Sequence, residues 1–263
     1  MTDALLEINH LGVRFGAVQA LSDVSFRVEA GTIHGLIGPN GAGKTTAFNV
    51  ISGLARQTSG QIRLAGVTLD QLPSYRRTRL GLARTFQNIR IFREMSVLEN
   101  VLTGAHVQTG GSALDILLRL PRFRAAEREG VARARDILQL VGLESRAESG
   151  AGDLAYGDMR RLEIARALAS NPKLLMLDEP AAGMNPSETQ ALRDLLLVLK
   201  KRGVTLLLVE HDMQFVMQLC EEITVLNFGA LIAQGSPQEV RRDPQVIEAY
   251  LGTKTAHKLE QKS

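Results

Sequence analysis

Residues 38–45 form a glycine-rich segment, G-P-N-G-A-G-K-T, that matches the pattern G-x-x-x-x-G-K-[ST]. This pattern functions only where a strand leads into it and a helix leads out of it. Residues 33–37 are short and apolar, which predicts a buried strand, and residues 46–52 predict a helix. The segment therefore predicts an α/β fold in which a strand, a loop and a helix follow one another.

The residue types of this loop suit the binding of a polyphosphate. Glycines without a Cβ permit positive φ and let phosphate oxygens approach the backbone N–H groups, and the following helix directs its positive end to the same point. Lys44 is expected to bind the β- and γ-phosphates, and the Thr45 hydroxyl is expected to bind Mg²⁺. A turn that binds nothing is disfavoured because strand, loop, lysine and threonine are all in place. The nucleotide contacts expected in this loop are Gly38, Pro39, Asn40, Gly41, Ala42, Gly43, Lys44, Thr45 and Thr46.

An apolar run at residues 174–177 ends in two acids, Asp178 and Glu179. Such a run is typical of a buried parallel strand, and α/β sheets bind ligands at the carboxyl ends of these strands. We expect the two acids beside the phosphate loop, where Asp178 would bind Mg²⁺ through water and Glu179 would polarise the attacking water. A solvated acidic turn is the alternative interpretation.

The remaining sequence predicts strands, helices and turns on both sides of these motifs. Strands are expected at residues 6–15, 22–28, 61–64, 81–87 and 205–209, and a hairpin is expected at 223–234. Helices are expected within 95–148, at 159–169 and at 186–202, and turns or loops at 58–60 and 152–158. The first two strands predict a small antiparallel sheet ahead of the parallel core. Asn185 is expected to cap the helix that starts at Pro186.

Composition and charge exclude several classes of protein. Of 263 residues, 44% are apolar, and the net charge of +3 gives no indication of nucleic-acid binding. The arginine clusters near 76–79 and 119–128 are interpreted as solvated faces. The single cysteine, Cys220, cannot form an internal disulfide and is expected in the core. We find no secretory signal and no run of 18 apolar residues, so a membrane role is expected from the cytoplasmic side.

The chain resembles the ATP-binding subunits of ABC transporters in the order of its motifs. These are the phosphate loop, Gln87, the segment 154–158, the acid pair and His211. The resemblance covers residues 5–252 and rests on several spaced motifs. It implies adenine stacking on Phe15, sensing of Mg²⁺ and the γ-phosphate by Gln87, and a switch role for His211. Taken alone, Phe15 is more typical of a core position and His211 of a structural histidine.

The signature segment of that family, commonly L-S-G-G-Q, is matched by Leu154, Ala155, Tyr156, Gly157 and Asp158. Ala155 replaces the serine that usually bonds the γ-phosphate and Tyr156 replaces a glycine, so backbone groups and the helix dipole remain to hold the phosphate. Asn185 stands where the family often has aspartate. These departures are similar to those of the LivG-type ATPases of branched-chain amino acid importers. That subgroup is also similar at residues 84–88, 91–95, 180–183 and 246–252.

The resemblance implies an α/β fold, a P-loop NTPase core with an N-terminal antiparallel β subdomain and an inserted α-helical subdomain. It implies one domain over residues 1–252 and a flexible tail at 253–263. Within that domain, a catalytic lobe is expected at 1–87 and 160–252, and a helical subdomain at 88–159. The implied activity is hydrolysis of bound ATP, with Mg²⁺, to ADP and phosphate.

The resemblance also implies a complex in which this chain is peripheral, at the cytoplasmic face of the inner or plasma membrane. Its expected members are two transmembrane permease subunits, a second ATP-binding subunit that is a paralogue or another copy, and, indirectly, a periplasmic solute-binding protein. No nucleic acid is expected. Residues 88–94 are the candidate permease contact, unless they pack wholly within the helical lobe.

Other functions stay open at this point. Importers of urea and short amides are similar in the same regions, and an exporter or lipopolysaccharide-extraction ATPase is a near rival. A soluble mechanical or translation ATPase would usually carry two cassettes or a coiled-coil insertion, and this chain has one phosphate loop and no sustained heptads. A regulatory module without turnover is disfavoured because Glu179 and His211 are both present.

Overall fold

Two β-sheets organise residues 4–105 and 121–251, the part of the chain that the computed structural model describes, with side chains described for 4–105 and 128–250. The strands are β1 (Ala4–Phe15), β2 (Val18–Glu29), β3 (Ile33–Ile37), β4 (Ser59–Leu64), β5 (Val67–Thr68), β6 (Leu82–Arg84), β7 (Leu174–Asp178), β8 (Thr205–Val209), β9 (Glu222–Asn227) and β10 (Ala230–Gly235). An antiparallel sheet has the order β2-β1-β4-β5, and the second sheet has the order β10-β9-β3-β8-β7-β6. In the second sheet β9, β3, β8, β7 and β6 are parallel, and β10 closes a hairpin with β9.

Helices connect the strands and form a separate group between β6 and β7. They are α1 (Lys44–Ile51), α2 (Ser74–Arg79), α3 (Val97–Ala105), α4 (Pro121–Leu140), α5 (Tyr156–Leu168), α6 (Pro186–Lys201), α7 (Met213–Leu219), α8 (Pro237–Arg242) and α9 (Pro244–Leu251). Helices α3, α4 and α5 pack against one another. Within the two described ranges, no helix combines the length and apolar character needed to cross a bilayer.

The central strands are buried on both faces, so their alternate side chains contribute to two hydrophobic cores. Leu36, Met176 and Leu207 pack in the core shared with the antiparallel sheet and α1. Ile37 and Leu208 point into the opposite core, which the helices on the other side of the sheet complete. Cys220 joins that second core, as its sequence context indicated, and burial raises the pKa of its thiol. The mainly apolar sequences of β3, β7 and β8 follow from this two-sided coverage.

One expected turn and one expected strand have different bounds in the structure. The expected turn at 58–60 is wrong because β4 already begins at Ser59. Gly60 has φ of 88° and lies so close to β1 that a Cβ would come within 2.4 Å of the His10 carbonyl oxygen. The strand expected at 81–87 is shorter, ending at Arg84, because the Phe86 N–H turns to the Glu163 carboxylate at 3.3 Å.

The loop expected at 152–158 is also wrong in its second half. A 3-10 turn spans Ala151–Asp153, and α5 begins at Tyr156, three residues before the expected start. Asp158 lies in the first turn of α5, where a carboxylate interacts favourably with the helix dipole, and it pairs with Arg161. Helix α5 therefore runs through residue 159, where the expected helical subdomain ends, and the division into lobes stays a prediction. The expected tail at 253–263 and residues 106–120 of the expected helical stretch lie outside the described residues.

Candidate nucleotide-binding site

The predicted functional groups lie at the carboxyl ends of four neighbouring parallel strands. Strand β3 leads into the phosphate loop, β8 leads into His211, β7 ends at the acid pair, and β6 leads toward Gln87. Ligands bind at this edge of α/β sheets because the loops leave the strands there and the helix N-termini point toward it. The structure thus places sequence motifs that are far apart in the chain side by side.

Glycines shape the phosphate loop as the sequence pattern requires. Gly41 and Gly43 have φ of 80° and 102°, values that residues with a Cβ rarely adopt. Gly38 has φ of 152°, and a Cβ there would lie 2.1 Å from the Leu226 carbonyl oxygen. The loop therefore depends on glycine for conformation at two positions and for close approach to β9 at the third.

Lys44, the first residue of α1, is folded back over the loop and is only 8% exposed. Its Nζ donates to the Gly38 carbonyl at 2.6 Å and to the Pro39 carbonyl at 2.9 Å. Burial lowers the pKa of Lys44, and the negative charge of Glu179 acts in the opposite direction. A buried ammonium bordered by backbone N–H groups and a helix N-terminus favours an anion.

Glu179 stands at the centre of the predicted catalytic residues. Its Oε2 accepts a hydrogen bond from Gln87 Nε2 at 3.1 Å and lies 3.8 Å from His211 Nδ1. The backbone at Glu179 has φ of 46°, and its N–H donates to the Val209 carbonyl at 2.9 Å. The structure brings Gln87, Glu179 and His211 together beside Lys44. The His211 side chain is 61% exposed, which argues against the purely structural alternative.

Two charged residues of this region were not assigned a role from the sequence. Glu210 is 1% exposed, and burial raises its pKa although it accepts hydrogen bonds from Ala181 N at 2.8 Å and His211 N at 3.2 Å. Arg84 forms a nearly buried ion pair with Asp178. The sequence feature that could have indicated Glu210 is its position directly after an apolar strand. The feature that could have indicated Arg84 is an arginine within an otherwise apolar strand.

A pocket of about 490 Å³ opens above the phosphate loop and is lined by the loop, Glu179, residues 18–20 and the β9–β10 turn. Phe15 is 55% exposed and pairs across the β1–β2 hairpin with Val18, which lines the pocket. The core position that Phe15 alone would indicate is therefore wrong, and an exposed ring at the pocket rim is compatible with base stacking. Phe228, in the β9–β10 turn, is a second exposed aromatic residue that lines this pocket.

The signature segment, residues 154–158, does not line the phosphate pocket. Leu154 is buried, whereas Ala155 and Tyr156 are exposed at the start of α5. The Tyr156 hydroxyl donates to the Ala182 carbonyl at 3.1 Å, and a Cβ at Gly157 would meet the Glu188 carboxylate at 2.7 Å. The described residues that line the phosphate pocket do not include this segment, so one subunit does not close the two halves of the site around one point.

Comparison with known proteins identifies the family. The family described as ABC transporter matches residues 21–182, and the family described as branched-chain amino acid ATP-binding cassette transporter matches residues 230–256. The chain belongs to the ABC transporter family. The recognition made from the spaced motifs is therefore confirmed, and the chain is an ATP-hydrolysing subunit of the ABC type.

Individual ABC proteins resemble this one along nearly its whole length. The high-affinity branched-chain amino acid transport ATP-binding protein LivG of Salmonella typhimurium is 47% identical and covers 96% of this chain and 99% of its own. The lipopolysaccharide export system ATP-binding protein LptB of Haemophilus influenzae is 33% identical, covering 95% and 98%. A crystal structure of an ATP-binding cassette in its ADP conformation has a TM-score of 0.83 and 34% identity, covering 95% and 100%. The expected P-loop NTPase fold of an ABC ATPase is thus confirmed.

The oxygen donors expected around Mg²⁺ in this ABC ATPase suit that ion. Thr45 offers a hydroxyl, Gln87 an amide oxygen and Asp178 a carboxylate, and Mg²⁺ prefers hard oxygen ligands together with the phosphates of its substrate. Asp178 is 5% exposed at the end of β7, and the described residues contain no cluster of three or more His, Cys, Asp or Glu that could hold a metal. A site with one carboxylate fits an ion that arrives with a nucleotide and keeps several waters.

Proposed function

We propose that this chain is the ATP-hydrolysing subunit of an importer for branched-chain amino acids. The observation that carries the ATPase assignment is the grouping of Gln87, Glu179 and His211 beside the phosphate loop. The solute class is supported by the family match at residues 230–256 and by 47% identity to LivG, against 33% to LptB. The chain itself need not touch the solute, because its pocket suits a nucleotide.

The site residues have distinct roles in the proposed mechanism. The phosphate loop binds the β- and γ-phosphates through its backbone N–H groups, and Lys44 adds a positive charge. Thr45, Gln87 and Asp178 would hold Mg²⁺, which would neutralise charge that develops on the phosphate oxygens. The Glu179 carboxylate accepts a proton from the attacking water, and His211 lies next to it, where it can contact the γ-phosphate.

A second ATP-binding subunit completes the site in this proposal. The signature segment lies at the start of α5 and outside the phosphate pocket of its own chain. Two subunits arranged head to tail would each place Ala155, Tyr156 and Gly157 against the nucleotide of the other. The positive end of α5 then acts on the γ-phosphate, since Ala155 has no hydroxyl with which to bond it.

The proposed permease contact is a groove of about 700 Å³ beside the Gln87 loop. Arg90, Ile91 and Phe92, from the candidate segment 88–94, line the groove together with residues of α3 and α5. Phe92 is 47% exposed and lies under the Arg166 guanidinium, with 5.6 Å between guanidinium carbon and ring centroid. An exposed aromatic residue at the edge of a groove is the kind of anchor that protein interfaces use. We place the complex at the cytoplasmic face of the inner membrane, with two permeases and, indirectly, a periplasmic solute-binding protein.

Lipopolysaccharide extraction is the second candidate, favoured only by the 33% identity to LptB over 95% of the chain. Import of urea or short amides is the third candidate within the same family. A pull-down of the tagged chain from its native membranes in mild detergent, followed by mass spectrometry, separates these functions. Two polytopic permeases, a second ATPase and a solute-binding protein that binds leucine, isoleucine or valine are expected. A different membrane partner without a binding protein would overturn the importer.

A further inference from the structure

Arg84, at the end of β6, is a buried cation to which the proposed mechanism assigns no role. Its Nη2 donates to Asp178 Oδ2 at 2.8 Å, and the two side chains are 7% and 8% exposed. Two nearly buried charges at this distance hold each other firmly, because losing either one leaves an unpaired charge in a low-dielectric surrounding. The carboxylate proposed for Mg²⁺ therefore has one oxygen fixed by a side chain from the neighbouring strand.

The other arm of the same guanidinium reaches the phosphate-loop helix. Arg84 Nη1 donates to Asn49 Oδ1 at 2.8 Å and to Ser52 Oγ at 2.8 Å, and both acceptors lie on or at the end of α1. Helix α1 begins at Lys44, so Arg84 joins the element that binds phosphate to the carboxylate that binds the metal. The planar guanidinium donates in fixed directions, which a lysine ammonium in its place would not reproduce.

Two aromatic rings lie beside this guanidinium. Its carbon lies 5.5 Å from the Phe48 ring centroid and 5.3 Å from the Phe86 ring centroid. Phe48 belongs to α1, and Phe86 directly precedes Gln87. Hydrogen bonds at both ends and rings beside it leave Arg84 little freedom to move relative to Asp178.

We propose that Arg84 is a positioning residue for magnesium: it holds Oδ2 of Asp178 and so keeps the other carboxylate oxygen directed to the hydration shell of the ion. The inference rests on the proposed assignment of Asp178 to Mg²⁺. Outer groups that orient a metal-binding side chain typically change metal affinity tenfold or more when they are removed. The hydrogen bonds of Arg84 go to Asp178, Asn49 and Ser52 rather than to residues 38–45, so we expect binding of the nucleotide without metal to depend little on Arg84.

Arg77, in α2, provides a matched control because it also binds α1. It is also buried, at 2% exposure, and it donates to the carbonyls of Val50 and Ile51 at the same, carboxyl-terminal end of α1 that Arg84 contacts. Arg77 has no contact with Asp178 among its described hydrogen bonds, the third going to Leu72. Loss of either arginine removes a buried cation that is attached to α1, but only the loss of Arg84 releases the metal carboxylate.

The test is a titration of the purified full-length chain with MgCl₂, read by the fluorescence of a methylanthraniloyl-ATP analogue. In the Arg84→Gln variant we expect the Mg²⁺ concentration at half-maximal response to rise about tenfold, while the affinity for the analogue in EDTA stays within about twofold. Arg84→Lys should give an intermediate shift, and Asn49→Ala, which removes one anchor of Arg84, a smaller shift in the same direction. Arg77→Gln should keep the parent's midpoint.

Each outcome has a defined meaning. An unchanged midpoint in Arg84→Gln, or an equal shift in Arg77→Gln, would overturn the positioning role. If the parent itself binds the analogue without any response to Mg²⁺, the proposed metal site fails and this inference fails with it. Circular dichroism shows which variants are folded, and Asn49→Ala decides the question should Arg84→Gln not fold.

Discussion

Glu179 has a backbone conformation, with φ of 46°, that is uncommon for a residue with a side chain. The structure stabilises this conformation through the hydrogen bond from the Glu179 N–H to the Val209 carbonyl and through the contact with Gln87. The conformation directs the carboxylate away from the strand and toward Gln87 and His211. Uncommon backbone angles with such support often occur at functional sites, which agrees with the proposed role as base.

We expect Glu179→Gln to bind ATP with an affinity within about threefold of the parent but to lose turnover by about 100-fold or more. Glutamine keeps the size and an oxygen that can accept from Gln87, but it cannot take a proton from water. Steady-state phosphate release and nucleotide binding measured on the same preparation test this. Glu144→Gln, an exposed acid in a 3-10 turn, is the control and should behave like the parent. Turnover near the parent's level in Glu179→Gln would show that another group is the base.

His34, in β3, is expected to make the stability of the fold dependent on pH. Burial lowers its pKa to about 4, its Nε2 lies 2.9 Å from Thr224 Oγ1, and Glu222 lies 3.8 Å from Nδ1. In the unfolded chain His34 takes up a proton near pH 6.5, whereas in the folded chain it does so only near pH 4. The contribution of His34 to the free energy of unfolding is therefore fully present above pH 6.5 and is lost as the pH falls toward 4. From this residue we expect a loss of about 2 kcal/mol between pH 7 and pH 5.

Urea unfolding of the parent and of His34→Gln at pH 7 and pH 5 isolates this contribution. Other acids titrate in both proteins, so the difference between their two pH responses belongs to His34. Glutamine carries no proton to gain, and the variant should therefore lose less stability than the parent on acidification. Equal losses would mean that the folded protein accommodates a charged His34.

Helix α6 shows at the scale of an element how local sequence sets a boundary. Asn185 Oδ1 accepts from the N–H groups of Ser187 and Glu188, each at 3.0 Å, and the Glu188 carboxylate accepts from the Asn185 N–H. Pro186 follows as the first helical residue. The expected cap at Asn185 is therefore confirmed, together with a reciprocal capping box.

Asn185→Ala should lower the free energy of unfolding by about 1 kcal/mol, because two N–H groups at the start of α6 lose their acceptor. Asn185→Asp is the matched comparison. Aspartate, common at this position in the family, can cap the helix equally well and should stay within about 0.5 kcal/mol of the parent. Urea denaturation at neutral pH provides both values. A smaller effect for alanine than for aspartate would show that the cap does not stabilise α6.

Elements with a strong local pattern were predictable, and contacts between distant segments were not. The strands expected at 33–37 and 205–209 have those bounds in the structure, because each is a mainly apolar run buried on both faces. The early start of α5 was missed because Ala155 offers no side-chain cap as a signal. The Arg84–Asp178 pair was missed because its two residues are 94 positions apart and nothing near either one indicates the other.

At the scale of the whole molecule, the positions of the signature segment and the phosphate loop predict how activity depends on association. The signature segment contacts residue 182 of its own chain, and the phosphate pocket lies elsewhere. ATP turnover per molecule should therefore rise with the concentration of the purified chain, or on addition of a second ATP-binding subunit. Phosphate release over a hundredfold range of concentration, with the association state followed by light scattering, measures this. Full turnover by a proven monomer would contradict the need for a second subunit.

The order of the parallel strands has a consequence for how the molecule tolerates change. Strands β3, β8, β7 and β6 are adjacent, and neighbouring strands in a sheet lie about 4.8 Å apart. The strand ends that lead into the phosphate loop, His211, the acid pair and Gln87 are thus separated by a spacing that backbone hydrogen bonds impose on any sequence. The sheet therefore sets how far apart the functional loops leave its edge. Surface loops and helices can diverge to suit new partners while the distances across the nucleotide stay the same.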